Sequence, residues 1–446
     1  MADRADSAYG RAVQAVRDAA MPLADDDPCD ALVQRVGDAH WVLLGEASHG
    51  TREFYRARAR ITRRLVREKG FTALAIEGDW PDAYRVNRFV RGLGDDASAI
   101  RALAGFQRFP TWMWRNAEVV ALVDELRAFN AQRPPAAQCG FYGMDMYSLY
   151  ASMQEVLRYL DRARPEAVAL ARERYACFDR FGADSQLYGL MTGLRGMQGC
   201  EDEVIATLVQ LNRHALSASP GGGGEEAFAA EQNARLVKNA EAYYRSMYLN
   251  DVSSWNLRDR HMVDTLAALE GHLTRDGQRP KIVVWAHNSH LGDARATEMG
   301  RRGEFNVGQL MRERHGRDAW LVGFTTHAGT VTAASDWDGP AECKRVLPSR
   351  ADSFENVMHA TGIERFLLPL RDAGPSLDAL RQPRLERAIG VIYRPETERQ
   401  SHYFSAELAA QFDAVIHIDT TSALEPLERN SQREATDMPE TYPSGV

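Results

Sequence analysis

Five ionisable residues in three short segments of the sequence could together move protons. Glu46 and His49 stand three residues apart, His287 and His290 are again three apart, and Glu77 lies between the two pairs in the chain. A neutral histidine oriented by a carboxylate can take a proton from water, and a second histidine can donate one to a leaving alkoxide. The set therefore predicts hydrolysis by activated water, with these five residues as the catalytic group.

Two other mechanisms are compatible with the same three segments. Ser48 and Ser289 are candidate nucleophiles, although neither lies in the G-x-S-x-G turn that exposes a serine after a strand. Imidazole and carboxylate groups also bind Zn²⁺ or Mn²⁺, but the sequence has no H-E-x-x-H or other fixed ligand spacing. We therefore expect neither a covalent intermediate nor a bound metal or cofactor, and a metal-dependent hydrolase stays the alternative.

Short apolar runs, each followed by a polar cluster and a helical pattern, must position these residues. Such runs are typical of buried parallel strands in an α/β sheet. They occupy 41–44, 71–76, 139–142, 281–285, 319–324, 366–370, 388–393 and 414–418. Loops converge at the carboxyl ends of parallel strands, where Glu46, Glu77, Asp145 and His287 all stand. The sequence therefore predicts an α/β fold, with a mostly parallel central sheet flanked by helices and the site at that edge.

The pattern also divides the chain into four parts. Residues 1–147 and 276–426 are the two parts of the α/β core, and 148–275, which have helical periodicity and hardly any strand signal, form an inserted helical subdomain. Residues 427–446 are polar and contain two prolines, which predicts an irregular tail. Gly221–Gly224 cannot sustain a helix and predict a flexible loop. We expect the insertion to form one wall of the cleft and to set substrate choice.

Two nine-residue segments resemble each other. Residues 41–49 and 282–290 both have four apolar residues, a small residue, a chemically active residue and a final Ser-His. This similarity predicts two facing half-sites. Asp79, which precedes Trp80-Pro81, is interpreted as a helix cap.

Aromatic residues supply candidates for substrate contact. Trp112 and Trp114 lie in one aromatic stretch, and Tyr243 and Tyr244 lie in the insertion. Such side chains could line a cleft for a large apolar or glycosylated substrate, with core packing as the alternative.

Composition excludes several classes of protein. The 446 residues are 44% hydrophobic and 26% charged, as in ordinary globular chains, and the net charge is −8. An acidic chain offers no basic field for nucleic acid. No stretch is long and apolar enough to cross a membrane, and the first residues lack a secretory signal, so we expect a cytoplasmic protein. The five cysteines are odd in number and far apart, which predicts reduced, buried thiols. The oligomeric state is not encoded in these patterns.

These motifs resemble a known family. The segments G-E-A-S-H-G (45–50), A-I-E-G (75–78), G-M-D (143–145) and A-H-N-S-H-L (286–291), together with Glu53-Phe54 and Arg58, are similar to the erythromycin esterase-like family over about residues 35–425. The resemblance implies an α/β fold with a helical insertion. It also implies hydrolysis of a macrolactone ester by activated water, the chemistry of macrolide antibiotic resistance.

The resemblance also implies roles for single residues. His49 is similar to the family's general base, Glu46 and Glu77 to its supporting carboxylates, and His287 and His290 to its second histidine pair. The expected substrate-binding residues are Arg58, Asp145, Asn288, Trp112, Trp114, Tyr243 and Tyr244. Ala47-Ser48 and Gly78-Asp79-Trp80 depart from the motifs of the macrolide-inactivating members and are closer to the housekeeping branch. We therefore expect a small-molecule ester or lactone as substrate, and a non-catalytic ligand- or haem-binding module is the competing interpretation.

Overall fold

The computed structural model describes residues 2–25, 29–182, 184–217, 224–249 and 251–428. Most of the predicted tail at 427–446 and three glycines of the predicted loop lie outside the described residues. The strands are β1 (Met21–Pro22), β2 (Trp41–Leu44), β3 (Ala73–Asp79), β4 (Gly140–Asp145), β5 (Ile282–Trp285), β6 (Ala319–Thr325), β7 (Ala328–Ala333), β8 (Glu342–Val346), β9 (Arg365–Pro369), β10 (Arg384–Arg387), β11 (Tyr403–Ala406), β12 (Ala414–Ile418) and β13 (Thr420–Thr421).

Helices surround these strands. They are α1 (Ala2–Ala19), α2 (Asp30–Val36), α3 (Arg52–Lys69), α4 (Trp80–Val90), α5 (Ala99–Ala102), α6 (Ala117–Asn130), α7 (Leu149–Ala163), α8 (Pro165–Tyr175), α9 (Ser185–Gly189), α10 (Glu201–Ser217), α11 (Glu225–Ser246), α12 (Asp251–Leu273), α13 (Asn288–Leu291), α14 (Glu298–Arg301), α15 (Val307–His315), α16 (Phe354–His359), α17 (Glu398–Ser401) and α18 (Leu408–Gln411). No helix in the described part of the chain is long and apolar enough to cross a membrane.

The central sheet has the strand order β1-β9-β12-β6-β2-β5-β3-β4. The pairs from β12 to β4 are parallel, and β9 runs antiparallel to both β12 and β1. Both faces are covered, because alternate residues of β2 enter opposite apolar clusters: Trp41 and Leu43 face one, Val42 and Leu44 the other. The predicted α/β fold with a mostly parallel sheet is confirmed.

Helices α7 to α12 connect β4 to β5. In this segment α11 packs against α7, α10 and α12, and α12 also packs against β4 and α15. One apolar cluster runs from the sheet, at Met144, into these helices at Val237 and Leu266. The strand face and the helix faces therefore bury their apolar side chains against each other. The four-part division of the chain stays a prediction.

Two of the predicted parallel strands differ in the structure. Residues 388–393 are not a strand of the sheet: the chain forms β10 just before them, paired with β11, and then crosses the carboxyl edge of the sheet. There Ile389 donates its backbone N–H to the carbonyl of Ala47 and accepts from His49 N. The run is buried because it covers the site loop, which gives it the composition of a strand. The run at 366–370 is a strand, but β9 is antiparallel.

The cysteine prediction is wrong in part. Cys177 and Cys200 form a disulfide with a Cα to Cα distance of 5.9 Å, and Cys343 is exposed. A separation of 23 residues does not reveal that the segment after α8 returns to the start of α10. Cys29 and Cys139 are buried thiols, as expected.

Candidate active site

The two similar segments lie side by side in the sheet. Strands β2 and β5 pair in parallel with Trp41 opposite Ile282 and Leu44 opposite Trp285, which is the register of the sequence similarity. The loops that follow them therefore leave the sheet at the same level. The rings of His49 and His287 come to lie 4.9 Å apart, centroid to centroid.

Glu46 joins His49 to a buried arginine. Its Oε1 lies 2.9 Å from Nδ1 of His49, and its Oε2 accepts a 2.5 Å hydrogen bond from Arg58. Arg58 is fully buried, and its guanidinium lies 4.5 Å from the Tyr55 ring and 4.6 Å from the Trp285 ring. A carboxylate can only accept, so in the neutral ring of His49 the proton is on Nδ1 and the lone pair is on Nε2. Arg58 thus lies behind Glu46 and not in the cleft, where we expected it to contact substrate.

His287 has the opposite tautomer. Its Nδ1 accepts from the backbone N–H of Ser289 at 3.3 Å and lies 2.8 Å from the Ser289 hydroxyl. Since Nδ1 is an acceptor, the neutral ring carries its proton on Nε2, which is buried and has no hydrogen-bond partner in the described chain. Burial holds the pKa of His287 well below its usual range. His287 is therefore a neutral donor beside a histidine with a free lone pair.

A second network contains Glu77 and a residue that the sequence did not single out, Arg258 of α12. Arg258 donates to Asp145 at 3.0 and 2.7 Å and to Glu77 at 2.8 Å. The other oxygen of Glu77 accepts from the backbone N–H of His287 at 2.8 Å. Burial opposes ionisation, but the charges of His290 and Arg258 hold the pKa of Glu77 well below its usual range. Glu77 is an ionised anchor for the His287 loop.

His290 is held by the residue that follows Arg258. Its Nδ1 lies 3.0 Å from both oxygens of Asp259, and its ring stacks on Trp255 at 4.4 Å. Its Nε2 lies 3.3 Å from Glu77. Burial opposes protonation, but the charges of Asp259 and Glu77 raise the pKa of His290 to about 9. His290 therefore acts as a fixed part of the charged network.

Arg258 and Asp259 could not be found by searching strand ends. Both lie within α12, and Arg258 is 113 residues from the Asp145 carboxylate that it binds. In the sequence L-R-D-R-H they have the appearance of a solvated helix face. Their one signal is Trp255, three residues before Arg258, which is an apolar residue on the same side of the helix.

The cleft is lined by residues from both networks and from several loops. His49, Glu77, Asp145, His287 and His290 all reach it. The other lining residues are Gly78, Asp79, Asp82, Phe106, Arg108, Phe109, Pro110, Met113, Trp114, Tyr147, Trp255, Arg258, Ser289, Trp337, Gly390 and Val391. Helix α12 thus contributes Trp255 and Arg258 to the wall.

Three more of the expected substrate contacts lie elsewhere. Trp112 lines a neighbouring groove with Arg115, and only Trp114 reaches the cleft. Tyr243 and Tyr244 are fully buried and lie one layer behind the cleft, with the Tyr244 hydroxyl 3.1 Å from the carbonyl of Tyr147. These tyrosines face the interior because α11 packs among α7, α10 and α12.

Asn288 is also internal to the fold. It is fully buried, donates to the carbonyl of Phe324 at 2.8 Å and accepts from the Phe324 N–H at 3.2 Å. Its backbone N–H donates to the carbonyl of Glu46 at 2.8 Å. Asn288 therefore connects the ends of β2, β5 and β6 and does not line the cleft.

Asp79 caps a helix by position only. It stands at the N-terminus of α4, but its carboxylate accepts from the backbone N–H of Ser148 at 3.1 Å and not from its own helix. Burial, opposed by Arg108, raises the pKa of Asp79 to about 6. Burial and the charge of Asp79 raise the pKa of Asp82 to about 7. The cleft therefore has an acidic end next to the histidines.

The sequence matches the family model of the erythromycin esterases over residues 66–421. The chain belongs to the erythromycin esterase family. Erythromycin esterase type II of Escherichia coli is 21% identical over 439 residues, covering 92% of this chain and 98% of the relative. The predicted family is confirmed, and membership in the erythromycin esterase family supports a hydrolase.

Solved structures share the fold of this erythromycin esterase family member. A succinoglycan biosynthesis protein is 23% identical with a TM-score of 0.76, covering 94% of this chain and 99% of that chain. An erythromycin esterase mutant in its open conformation is 18% identical with a TM-score of 0.64, covering 90% and 95%. At these identities the likeness extends to the fold alone.

Proposed function

We propose that the chain hydrolyses an ester or lactone bond of a small molecule with water activated by His49, without a covalent intermediate, a metal or a cofactor. The observation that carries the proposal is the pairing of opposite tautomers. His49 presents an unprotonated Nε2, and His287 carries a proton on its own Nε2, with the two rings 4.9 Å apart. One group accepts a proton while the other donates a hydrogen bond.

The geometry supports a simple sequence of steps. His49 Nε2 takes a proton from water as the water oxygen attacks the acyl carbon, and Glu46 stabilises the resulting imidazolium at 2.9 Å. His287 donates to the carbonyl oxygen, on which negative charge develops. When the bond from the acyl carbon to the alkoxide breaks, the imidazolium returns its proton to the alkoxide. The products are an acid and an alcohol, or a ring-opened hydroxy acid.

The carboxylates near these histidines are already occupied. Glu46 is paired with Arg58, and Glu77 and Asp145 are both paired with Arg258. Within the described residues, no group of three His, Cys, Asp or Glu side chains is arranged to hold a metal ion. Orientation of histidines by arginine-supported carboxylates is the role that these contacts favour. A cytoplasmic location stays a prediction of the sequence.

A panel of acyl esters and macrolactones tests the proposal. In H₂¹⁸O, the acid product should contain one solvent oxygen, and mass spectrometry of the enzyme during turnover should find no acyl adduct. An adduct on Ser48 or Ser289, or no turnover of any member of the panel, would overturn it.

A further inference from the structure

The acidic end of the cleft holds a carboxyl group that the proposed chemistry does not use. Asp82 lies on α4 one turn after Asp79 and lines the cleft. In the described part of the chain it makes no hydrogen bond and no ion pair, whereas Asp79 accepts from Ser148. The nearest loop is tight against it, because a Cβ on Gly105 would come within 2.7 Å of its Oδ1.

Arg85 and Arg108 act on Asp82 electrostatically, but the arginines around the cleft contact other groups. Arg258 pairs with both Glu77 and Asp145. Arg108 acts electrostatically on Asp79, and its guanidinium lies 4.5 Å from the ring of Tyr147. The other arginine one turn along α4, Arg85, is engaged bidentately by Asp96 at 2.9 and 2.7 Å.

Aromatic rings surround the same end of the cleft. Phe106 and Trp114 lie over Gly78, at 3.2 and 3.0 Å from the position a Cβ would take there, with ring centroids 6.1 Å apart. Phe109 and Trp337, from two separate loops, meet edge to face at 4.9 Å. All four line the cleft. Aromatic faces attract cations, and a nearby carboxylate adds a charge of the right sign.

We infer that the substrate carries a cationic amine, protonated or quaternary, which binds between Asp82 and these aromatic rings. The inference rests on the proposed function, since the reacting bond must then lie at the histidine end of the same cleft. A neutral or anionic group would leave the carboxylate of Asp82 without a partner next to an apolar wall, which is unfavourable. A cationic amine, in contrast, gives the carboxylate of Asp82 a partner of opposite charge. Asp82 is thus a specificity-determining residue.

Choline and its neutral carbon isostere 3,3-dimethylbutan-1-ol test this inference by isothermal titration at pH 8, where Asp82 is ionised. A charge-assisted contact corresponds to roughly tenfold to a hundredfold in affinity, so choline should bind at least about tenfold more tightly. Asp82→Asn should remove most of this preference by weakening choline binding alone. Asp95→Asn, the same change at an exposed residue, should leave both affinities unchanged.

A second variant keeps the test independent of the folding of Asp82→Asn. Trp337→Leu removes one aromatic face from a partly buried loop position and should also weaken choline more than the alcohol. Equal affinity for the two probes, no measurable choline binding, or unchanged choline binding in both variants would overturn the inference. Selective choline binding without turnover of any ester would instead overturn the proposed hydrolysis and leave the amine site standing.

Discussion

Replacing Arg258 by alanine should destabilise the protein far more than removing an ordinary ion pair. Arg258 is buried and makes three charged hydrogen bonds of 2.7 to 3.0 Å to two carboxylates that are themselves buried. Without it, the buried carboxylates of Asp145 and Glu77 lose the guanidinium that both of them bind. Breaking a buried pair by removing one partner costs about 3–5 kcal/mol, because an uncompensated charge stays behind.

Urea unfolding at pH 7.5 measures this cost as a difference in the free energy of unfolding. Arg302→Ala is the matched control: its guanidinium is 43% exposed and pairs with Glu298 one turn away, an arrangement worth about 0.3–0.5 kcal/mol. The double variant Arg258→Met, Asp145→Asn should recover part of the loss, because it removes charge from both partners.

The pH dependence of the destabilisation is an independent check on this explanation. Loss of Arg258 removes one of the charges that hold the pKa of Glu77 low, so protonation of Glu77 at lower pH reduces the destabilisation of the variant. The deficit should therefore be largest near pH 8 and shrink towards pH 5. A cost below about 1 kcal/mol that is equal to that of Arg302→Ala and independent of pH would refute the buried network.

Three further outcomes follow from the structure. Gly45→Ala should destabilise the protein by about 1–3 kcal/mol, because the new Cβ would meet Oδ1 of Asn288, which connects the strands. Gly271→Ala in α12 is the control and should stabilise slightly, because nothing lies near the position of its Cβ. Urea unfolding compares the two variants. Burial and the charge of Asp79 raise the pKa of Asp82 to about 7, so this group contributes stability that is present below pH 4 and lost as the pH rises through 7. Asp82→Asn should therefore reduce the decrease in the free energy of unfolding between pH 4 and 8 by about 1–2 kcal/mol after solvent screening. An unchanged pH profile would contradict the raised pKa of Asp82. Dialysis against a strong chelator should leave ester hydrolysis intact, and loss of activity restored by Zn²⁺ or Mn²⁺ would move the histidines to metal ligation.

The sequence alone predicts the parts of the site that follow strands. Glu46, Glu77, Asp145 and His287 stand where apolar runs end, and the parallel sheet brings such positions to one edge whatever their distance in the chain. The similarity of 41–49 to 282–290 predicts that the two segments face each other, and the two strands do pair in that register.

What the sequence could not give are contacts made across the fold by helices. Arg258 reaches Asp145 only because α12 packs against β4, and no spacing in the chain encodes that packing. The same limit explains the errors at Tyr243 and Tyr244, since a helical aromatic pair is compatible with a cleft or a core until its neighbours are known.

The central claim is that His49 activates water directly, and the rate of ester hydrolysis by His49→Asn tests it most directly. Loss of a general base removes about 10²–10⁴-fold of rate, so kcat/KM should fall by at least that much while circular dichroism and unfolding stay close to wild type. The Ser48 hydroxyl hydrogen-bonds only to Thr51 in the described structure, so Ser48→Ala should keep kcat/KM within about an order of magnitude of wild type. Activity retained in His49→Asn and lost in Ser48→Ala would contradict the account and transfer the reaction to a serine nucleophile.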